Sequence, residues 1–222
     1  KKQNKAFEAD LVKVEGKKPK IKNEEEAKAL LERCNGEYIV SSISKKQKKK
    51  QPKLPFTTST MQQEASTKLG FGAKKTMSVA QKMYVGLITY MRSDSSRLSD
   101  IFVSDAKEFI TNTYGKEYVG HVHQKNGKNT QDAHEAIRPT NINRTPESIK
   151  DHLTNDQYRL YSLIYARTLA SLMKDAVYDV TSVKIANNDL EFSASGQTMT
   201  LDGYYKVYSK YEKQSDALLP KL

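Results

Sequence analysis

The sequence predicts an α+β fold in which a discontinuous β-rich domain is interrupted by a mainly helical, winged-helix-like domain. Period-two alternation occupies both ends of the chain, at KAFEADLVKV (5–14), YIVSSIS (38–44), VYDVTSVKIA (177–186) and DLEFSAS (189–195). Helical spacing with capping residues fills the middle, and Pro52 and Pro55 stiffen the passage into it. The economical division is 1–57 with 174–222 for the β-rich part and 58–173 for the helical insertion. No internal repeat is present.

The first strand signal closes on a turn at Gly16 to Pro19. Asn23 is placed to cap a helix through Glu24, Glu25 and Glu26 to about Arg33, with acids in its first turn, a base in its last and Asn35-Gly36 to stop it. The three glutamates read as dipole and solubility charges. The strand at Tyr38–Ser44 leads into KKQKKKQPK, whose lysines at 45, 46, 48, 49, 50 and 53 have no acid among them. Such a run is a solvated edge or linker, and it can also touch phosphates without specificity.

Ser59 with Gln62 has capping-box spacing ahead of a helix from Met61 to Leu69 that Gly70 stops. A second helix is expected from about Thr76 to Tyr84, with Met77, Ala80 and Tyr84 on one face. Ser99 caps a helix to about Thr113 that buries Phe102, Ala106, Phe109 and Ile110. Thr145-Pro146 opens a short helix, and Thr154 with Gln157 opens a longer one to about Lys174 that buries Tyr161, Ile164, Thr168 and Leu172. Asn187-Asn188 and Asp202-Gly203 supply turns among the final strands. His121 and His123 alternate as metal ligands can, but no third ligand accompanies them and they read as loop residues.

Composition narrows the function classes. A chain of 222 residues that is 37% hydrophobic suits two modest cores. Lys plus Arg number 37 against 26 acids, a net charge of +11 and a pI of about 9.4, which favours an anionic partner such as nucleic acid. A membrane surface is disfavoured, because neither a basic amphipathic helix nor a lipidation motif stands out. Cys34 is the single cysteine, so no intramolecular disulfide or zinc-binding cysteine cluster is expected, in keeping with a reducing cytosol. The apolar run at Tyr84–Met91 is too short to span a bilayer, and no signal peptide is expected. The first residue is Lys1, and the chain reads as a piece of a longer protein.

The most informative stretch is GLITYMRSDSSR, Gly86 to Arg97. Apolar Leu87 and Ile88 suggest a buried strand that delivers Tyr90 to a polar edge. Residues two apart on a strand point to the same side, so a phenol and the Arg92 guanidinium can meet one phosphate. Spacing alone leaves open that Tyr90, one of thirteen tyrosines, packs its ring and nothing more. Helix, short turn, helix and then strand is also the order of a winged helix-turn-helix.

Three stretches together, PFTTSTMQQEASTKLGFGAKKTM (55–77), GLITYMRSDSSRLS (86–99) and DAHEAIRPT (132–140), resemble the type IA DNA topoisomerases. LDGYYKVY (201–208) is compatible with them, and Met91 favours the bacterial topoisomerase I branch. The resemblance implies that the β-rich part is the arch of a strand-passage gate. It implies that Tyr90 is the nucleophile, attacking a phosphodiester of one DNA strand to leave a 5′-phosphotyrosyl link and a free 3′-hydroxyl. Arg92 would bind the scissile phosphate and His134 would hydrogen-bond it. Thr89, Asp94, Arg138 and Glu135 would support these groups or contact DNA, and Gln62, Gln63 and Lys75 would contact DNA phosphates.

The implied substrates are single-stranded and negatively supercoiled DNA, handled without ATP in the bacterial cytoplasm, at the nucleoid. The resemblance places magnesium on an Asp-x-Asp-type cluster in a separate Toprim domain. No Asp-x-Asp occurs here, so the Mg2+ ligands, the Toprim domain and the gate-base domain are expected elsewhere in a full-length chain, and this piece is expected to be inactive alone. The link Val85-Gly86 between helix and tyrosine is shorter than the resemblance leads one to expect. The alternatives are a non-catalytic helix-turn-helix DNA-binding module with a packed Tyr90, or the equivalent part of reverse gyrase.

Overall fold

A computed structural model describes residues 6–122, 134–213 and Leu219. The chain forms two compact units. The first contains the described residues before Lys50 together with Val177–Leu201 and Leu219; the second contains Lys50–Ala176 and residues 202–213. Residues 202–213 therefore group with the helices, although their place after the last strand put them in the β-rich part.

The first unit is a four-stranded sheet with one helix. Its strands β1 (Asp10–Val14), β2 (Ile39–Lys50), β3 (Ala176–Asn187) and β4 (Leu190–Leu201) lie in the order β1-β4-β3-β2, with β1 and β3 antiparallel to β4. The β3–β4 hairpin turns at Asn188, whose φ of 52° is one that asparagine tolerates. Val183, Ile185, Leu190 and Ala194 supply its buried apolar face. The Asn187 amide donates to the Asn35 and Glu37 carbonyls at 2.7 and 3.1 Å, which fastens the hairpin to the segment leading into β2.

Helix α1 (Glu24–Arg33) starts at Asn23, whose side chain accepts from the Glu26 amide, as the sequence predicts. Arg33 at its far end pairs with Glu15 at 3.0 Å and with Asp189. The lysine run is not a linker. β2 continues to Lys50 as an edge strand, because its backbone finds partners on β3 that override the low strand propensity of lysine.

The second unit is built on α6 (Asn155–Ala170), capped by the predicted Thr154–Gln157 box and buried from Leu160 to Ala170 except for Ser162. Around it lie α2 (Thr58–Glu64), α3 (Ala73–Met83), α4 (Asp100–Tyr114), α5 (Pro146–Ile149) and α7 (Tyr205–Tyr208). The cap of α2 is Thr57 with Thr60 rather than Ser59 with Gln62, and the helix widens into a π-helical turn at Ala65–Leu69 before Gly70, at φ 71°, ends it. Helix α3 starts at Ala73 and buries Thr76, Val79, Ala80 and Met83, so its apolar stripe is displaced from the expected one and Tyr84 is exposed.

A buried polar cluster ties α2, α6 and α7 together. The Arg167 guanidinium donates to Glu64 Oε1 at 2.7 Å and to the Leu54 carbonyl at 2.6 Å, and lies 4.7 Å from the Phe56 ring centre. Lys53 reaches Glu64 Oε1 at 2.7 Å, and the Tyr208 hydroxyl donates to Glu64 Oε2. Burial alone would raise the Glu64 pKa, but the hydrogen bonds from Lys53 and Tyr208 and the Arg167 charge outweigh it and hold the carboxyl below the usual range. Gly203, at φ 51°, brings the chain back beside α6. A Cβ there would lie 2.4 Å from the Asp175 carbonyl oxygen, so no other residue fits.

Candidate active site

Tyr90 does not lie on a strand. After α3 the chain turns through Gly86, at φ 99°, and runs irregularly to Ser99, the N-cap of α4. Its only ladder-like pairing among the described residues is one bridge between Ile88 and Pro139. A winged-helix strand is therefore not formed, because the backbone groups here bond to other segments instead of to a neighbouring strand.

Those segments are the other two stretches singled out in the sequence. From 134–140, the Arg138 carbonyl accepts from the Thr89 amide at 2.9 Å, the Ala136 carbonyl accepts from Thr89 Oγ1 at 2.6 Å, and the Glu135 carbonyl accepts from Ser93 Oγ at 2.6 Å. In return the Ala136 and Thr140 amides donate to the Arg97 and Leu87 carbonyls at 2.8 and 3.0 Å. From the start of α2, the Thr58 amide donates to the Ser93 carbonyl at 2.8 Å. Thr58 Oγ1 accepts from the Ser93 amide at 2.9 Å and donates to the Met91 and Ser93 carbonyls at 2.9 and 3.1 Å. Phe56 and Ile137 bridge the two flanking segments to each other.

The turn before Tyr90 is anchored separately. The Gly86 carbonyl accepts from Thr140 Oγ1 at 2.7 Å and from Arg144 Nη1 at 2.8 Å. The Arg144 carbonyl is held by the Tyr161 hydroxyl of α6 at 2.7 Å. Burial pushes the Tyr161 phenol up to about 12, so it stays protonated as the donor this bond needs.

The expected two-residue alternation survives without a strand. Ile88, Met91, Ser93 and Ser95 are buried, whereas Tyr90, Arg92 and Asp94 are exposed, with Tyr90 retaining 41% of its surface. Among the described residues Arg92 and Asp94 have no side-chain partner, which leaves the guanidinium available to an anion. The Tyr90 ring meets the exposed Tyr84 ring edge to face, with centres 5.3 Å apart, and its oxygen makes no hydrogen bond among the described residues. His134 is exposed and equally unpaired, in the segment stitched to the one carrying Tyr90 and Arg92.

The remaining predicted residues divide by what they touch. Thr89 uses its hydroxyl internally. Arg138 donates from Nε to Glu135 Oε2 at 2.7 Å and from Nη1 to the Pro139 carbonyl at 2.9 Å, and it stacks 4.2 Å from the Phe102 ring centre. Arg138 and Glu135 are thus spent on each other and hold the 134–140 segment in shape. Lys75 pairs with Asp156 at 2.8 Å over the Phe71 ring. Gln62 is half-buried and Gln63 exposed on α2. Asp132 and His123 lie outside the described residues. His121 joins no metal-binding set, for no group of three His, Cys, Asp or Glu side chains that could hold a metal ion occurs among the described residues.

Sequence reasoning missed Thr58 and Ser93, whose hydroxyls, with that of Thr89, fix the reactive segment. The signal was the pair of polar runs, TTST between Phe56 and Met61 and SDSS between Arg92 and Arg97, which read as capping and surface sequence unless the two runs are known to meet. No helix among the described residues is long and apolar enough to cross a membrane.

A model of the DNA topoisomerase family matches residues 1–222 of the chain. Among solved structures, full-length topoisomerase I from Thermotoga maritima is similar at a TM-score of 0.75 and 38% sequence identity, covering 88% of this chain and 33% of that one. The chain thus spans about a third of the length of that relative.

Proposed function

We propose that the chain, which belongs to the DNA topoisomerase family, is the tyrosine-bearing part of a bacterial type IA enzyme that cuts and rejoins one DNA strand. The observation that carries this reading is the meeting of three sequence-distant stretches, which leaves Tyr90 and Arg92 exposed on one side of a fixed segment. The Tyr90 oxygen attacks a phosphorus of single-stranded DNA. A bond forms from phenol oxygen to phosphorus and the bond from phosphorus to the 3′ oxygen breaks. The phenol gives up its proton and the leaving oxygen takes one up as a 3′-hydroxyl, while the 5′ end stays on the protein.

Arg92 neutralises charge that grows on the phosphate as the reaction proceeds. His134 donates a hydrogen bond at the same phosphate, with Glu135 and Arg138 shaping its segment and Thr89 fixing the backbone before Tyr90. Asp94, Gln62, Gln63 and Lys75 lie along the path of the DNA backbone. A phenol, of ordinary pKa about 10, leaves far more readily than an alkoxide, so the covalent link preserves the bond energy and the 3′-hydroxyl reverses the cut without ATP.

Between the two steps another strand passes, and negative supercoils relax. Magnesium does not fit the described residues, among which no group of three His, Cys, Asp or Glu side chains could hold it. Its carboxylate ligands, and the gate base, belong to Toprim and gate-base domains of a full-length chain working in the bacterial cytoplasm on the nucleoid. The helix-turn-helix alternative has less support, since the expected wing strand is absent after α3.

The test is covalent trapping. With the Toprim and gate-base domains supplied, a 3′-end-labelled oligonucleotide is expected to comigrate with the protein under denaturing conditions, and a 5′-labelled one is not. Tyr90→Phe is expected to abolish the adduct, and an adduct formed by that variant would overturn the assignment.

A further inference from the structure

A cavity of about 200 Å3 opens between α6 and α7, and none of the residues assigned to the Tyr90 reaction lines it. Four phenols converge on it: Tyr114 from the end of α4, Tyr158 and Tyr165 from α6, and Tyr211 from the turn after α7. Phe109 backs two of these rings, with its centre 6.5 Å from that of Tyr114 and 6.5 Å from that of Tyr165. Ala166, Leu169 and Val207 supply apolar surface between them.

The fold leaves two polar groups of this wall unused. Tyr211 is 8% exposed, yet its hydroxyl has no hydrogen-bond partner among the described residues, whereas the hydroxyl of the comparably buried Tyr165 donates to the Ile142 carbonyl at 2.7 Å. Buried tyrosine hydroxyls usually find a partner, so an unpaired one beside a cavity marks a place for a ligand atom. Glu147 of α5 has no basic partner among the described residues and accepts only from the Tyr158 hydroxyl, at 3.3 Å. Its charge is felt across the cavity: burial raises the pKa of Tyr114, with Glu147 adding to the rise, and burial, then Tyr158 and Glu147, push Tyr211 up to about 12. Tyr211 therefore stays protonated and free to donate. At the rim, Lys210 lies 5.8 Å from the Tyr211 ring centre with no acidic partner among the described residues, while Lys206 is 4.0 Å from Asp202.

Charge selects the class of ligand. One unpaired acid and one unpaired base leave the cavity neutral as a whole, which disfavours a simple anion or cation and suits a zwitterion. Glu147 and Tyr211 are close enough to feel each other, so the ammonium and the carboxylate of that zwitterion belong on neighbouring atoms, as they are on one α-carbon. The remaining surface is aromatic and apolar and calls for an apolar side chain. The volume is below the range of about 300–1,000 Å3 that drug-sized ligands fill, which leaves room for one amino acid.

We infer that this cavity binds a free α-amino acid with an apolar side chain, its ammonium on Glu147, its carboxylate on the Tyr211 hydroxyl and Lys210, and its side chain among the tyrosine rings. The inference does not rest on the cutting reaction.

Isothermal titration calorimetry of the 222-residue chain with L-phenylalanine tests it. One saturable site is expected, with a Kd on the order of 1 mM or tighter. Phenethylamine, which lacks the carboxylate, and phenylpropionate, which lacks the ammonium, are each expected to bind at least about tenfold more weakly. Glu147→Gln keeps an acceptor for Tyr158 but removes the charge, and is expected to weaken L-phenylalanine binding at least about tenfold. Tyr211→Phe removes one donor and is expected to weaken it about three- to tenfold. Glu147 is exposed and the Tyr211 hydroxyl is unpaired, so both variants are expected to fold as the parent does. Absence of saturable binding, equal affinity for phenethylamine or phenylpropionate, or an unchanged affinity in either folded variant would overturn the inference.

Discussion

Replacing Thr58 by Val removes the hydroxyl that fixes the Tyr90 segment while keeping the side-chain shape. The valine cannot accept from the Ser93 amide at 2.9 Å, nor donate to the Met91 and Ser93 carbonyls at 2.9 and 3.1 Å, which share one hydroxyl proton. The Thr58 backbone bond to Ser93 at 2.8 Å survives. The loss is therefore about two hydrogen bonds in a half-buried setting, or about 2 kcal/mol at about 1 kcal/mol each. For a chain of this size that lowers the unfolding midpoint by about 4–8 °C. The catalytic effect is larger than the stability effect, because Met91 lies between Tyr90 and Arg92. A shift of about 1 Å in a reacting group costs up to about a hundredfold in rate. Adduct formation on a 3′-labelled oligonucleotide, followed with the partner domains present, is expected to slow by at least about tenfold in Thr58→Val and to return in Thr58→Ser, which restores the hydroxyl. An adduct rate in Thr58→Val within about twofold of the parent would refute the positioning role assigned to this residue.

Two further outcomes follow from the polar contacts. Glu64 has its carboxyl held below the usual range, so it stabilises the fold above its unfolded pKa of about 4.3 and loses that contribution as pH falls through its lower folded value. Denaturation monitored from pH 7 down to pH 3 is expected to show a shallower acid loss of stability in Glu64→Gln than in the parent; identical acid limbs would mean that Glu64 plays no part in acid unfolding. Arg138→Lys keeps the charge but gives up the paired bonds to Glu135 and the stacking on Phe102, and is expected to cost about 1–2 kcal/mol while leaving the salt slope of DNA binding unchanged. A slope lowered by about 1 would instead make Arg138 a direct phosphate ligand.

Local signals in the sequence were readable wherever one side chain decides the outcome. Asn23, Ser99, Thr145 and Thr154 all cap the helices predicted from them, because a cap needs only its own side chain and an amide two or three residues on. Thr57 displaced Ser59 as the cap of α2 because Thr60 could bond back to it, a choice between neighbours of nearly equal propensity. Tyr90 and Arg92 were legible as outward-facing partners. The apolar, β-branched run before them pointed to a strand, but their backbone is satisfied by the 134–140 segment and by Thr58, partners that no local window contains. Long-range pairing also extended β2 through its lysines. Arg167 and Glu64 are 103 residues apart, and the one hint of their pairing was a charged residue on the buried face of α6.

The alternation along residues 88–95 separates two kinds of selection. Residues that face inward, Met91, Ser93 and Ser95, keep the segment in place, while those that face outward carry less of that load: Arg92 and Asp94 have no side-chain partner among the described residues, and Tyr90 adds its edge-to-face contact with Tyr84. Arg92 and Asp94 can therefore be exchanged with little penalty in stability, so at these positions grip on the substrate and foldability do not compete for the same side chains. Such an arrangement is evolvable: a lineage can retune how the segment grips its substrate without first acquiring compensating mutations in the core.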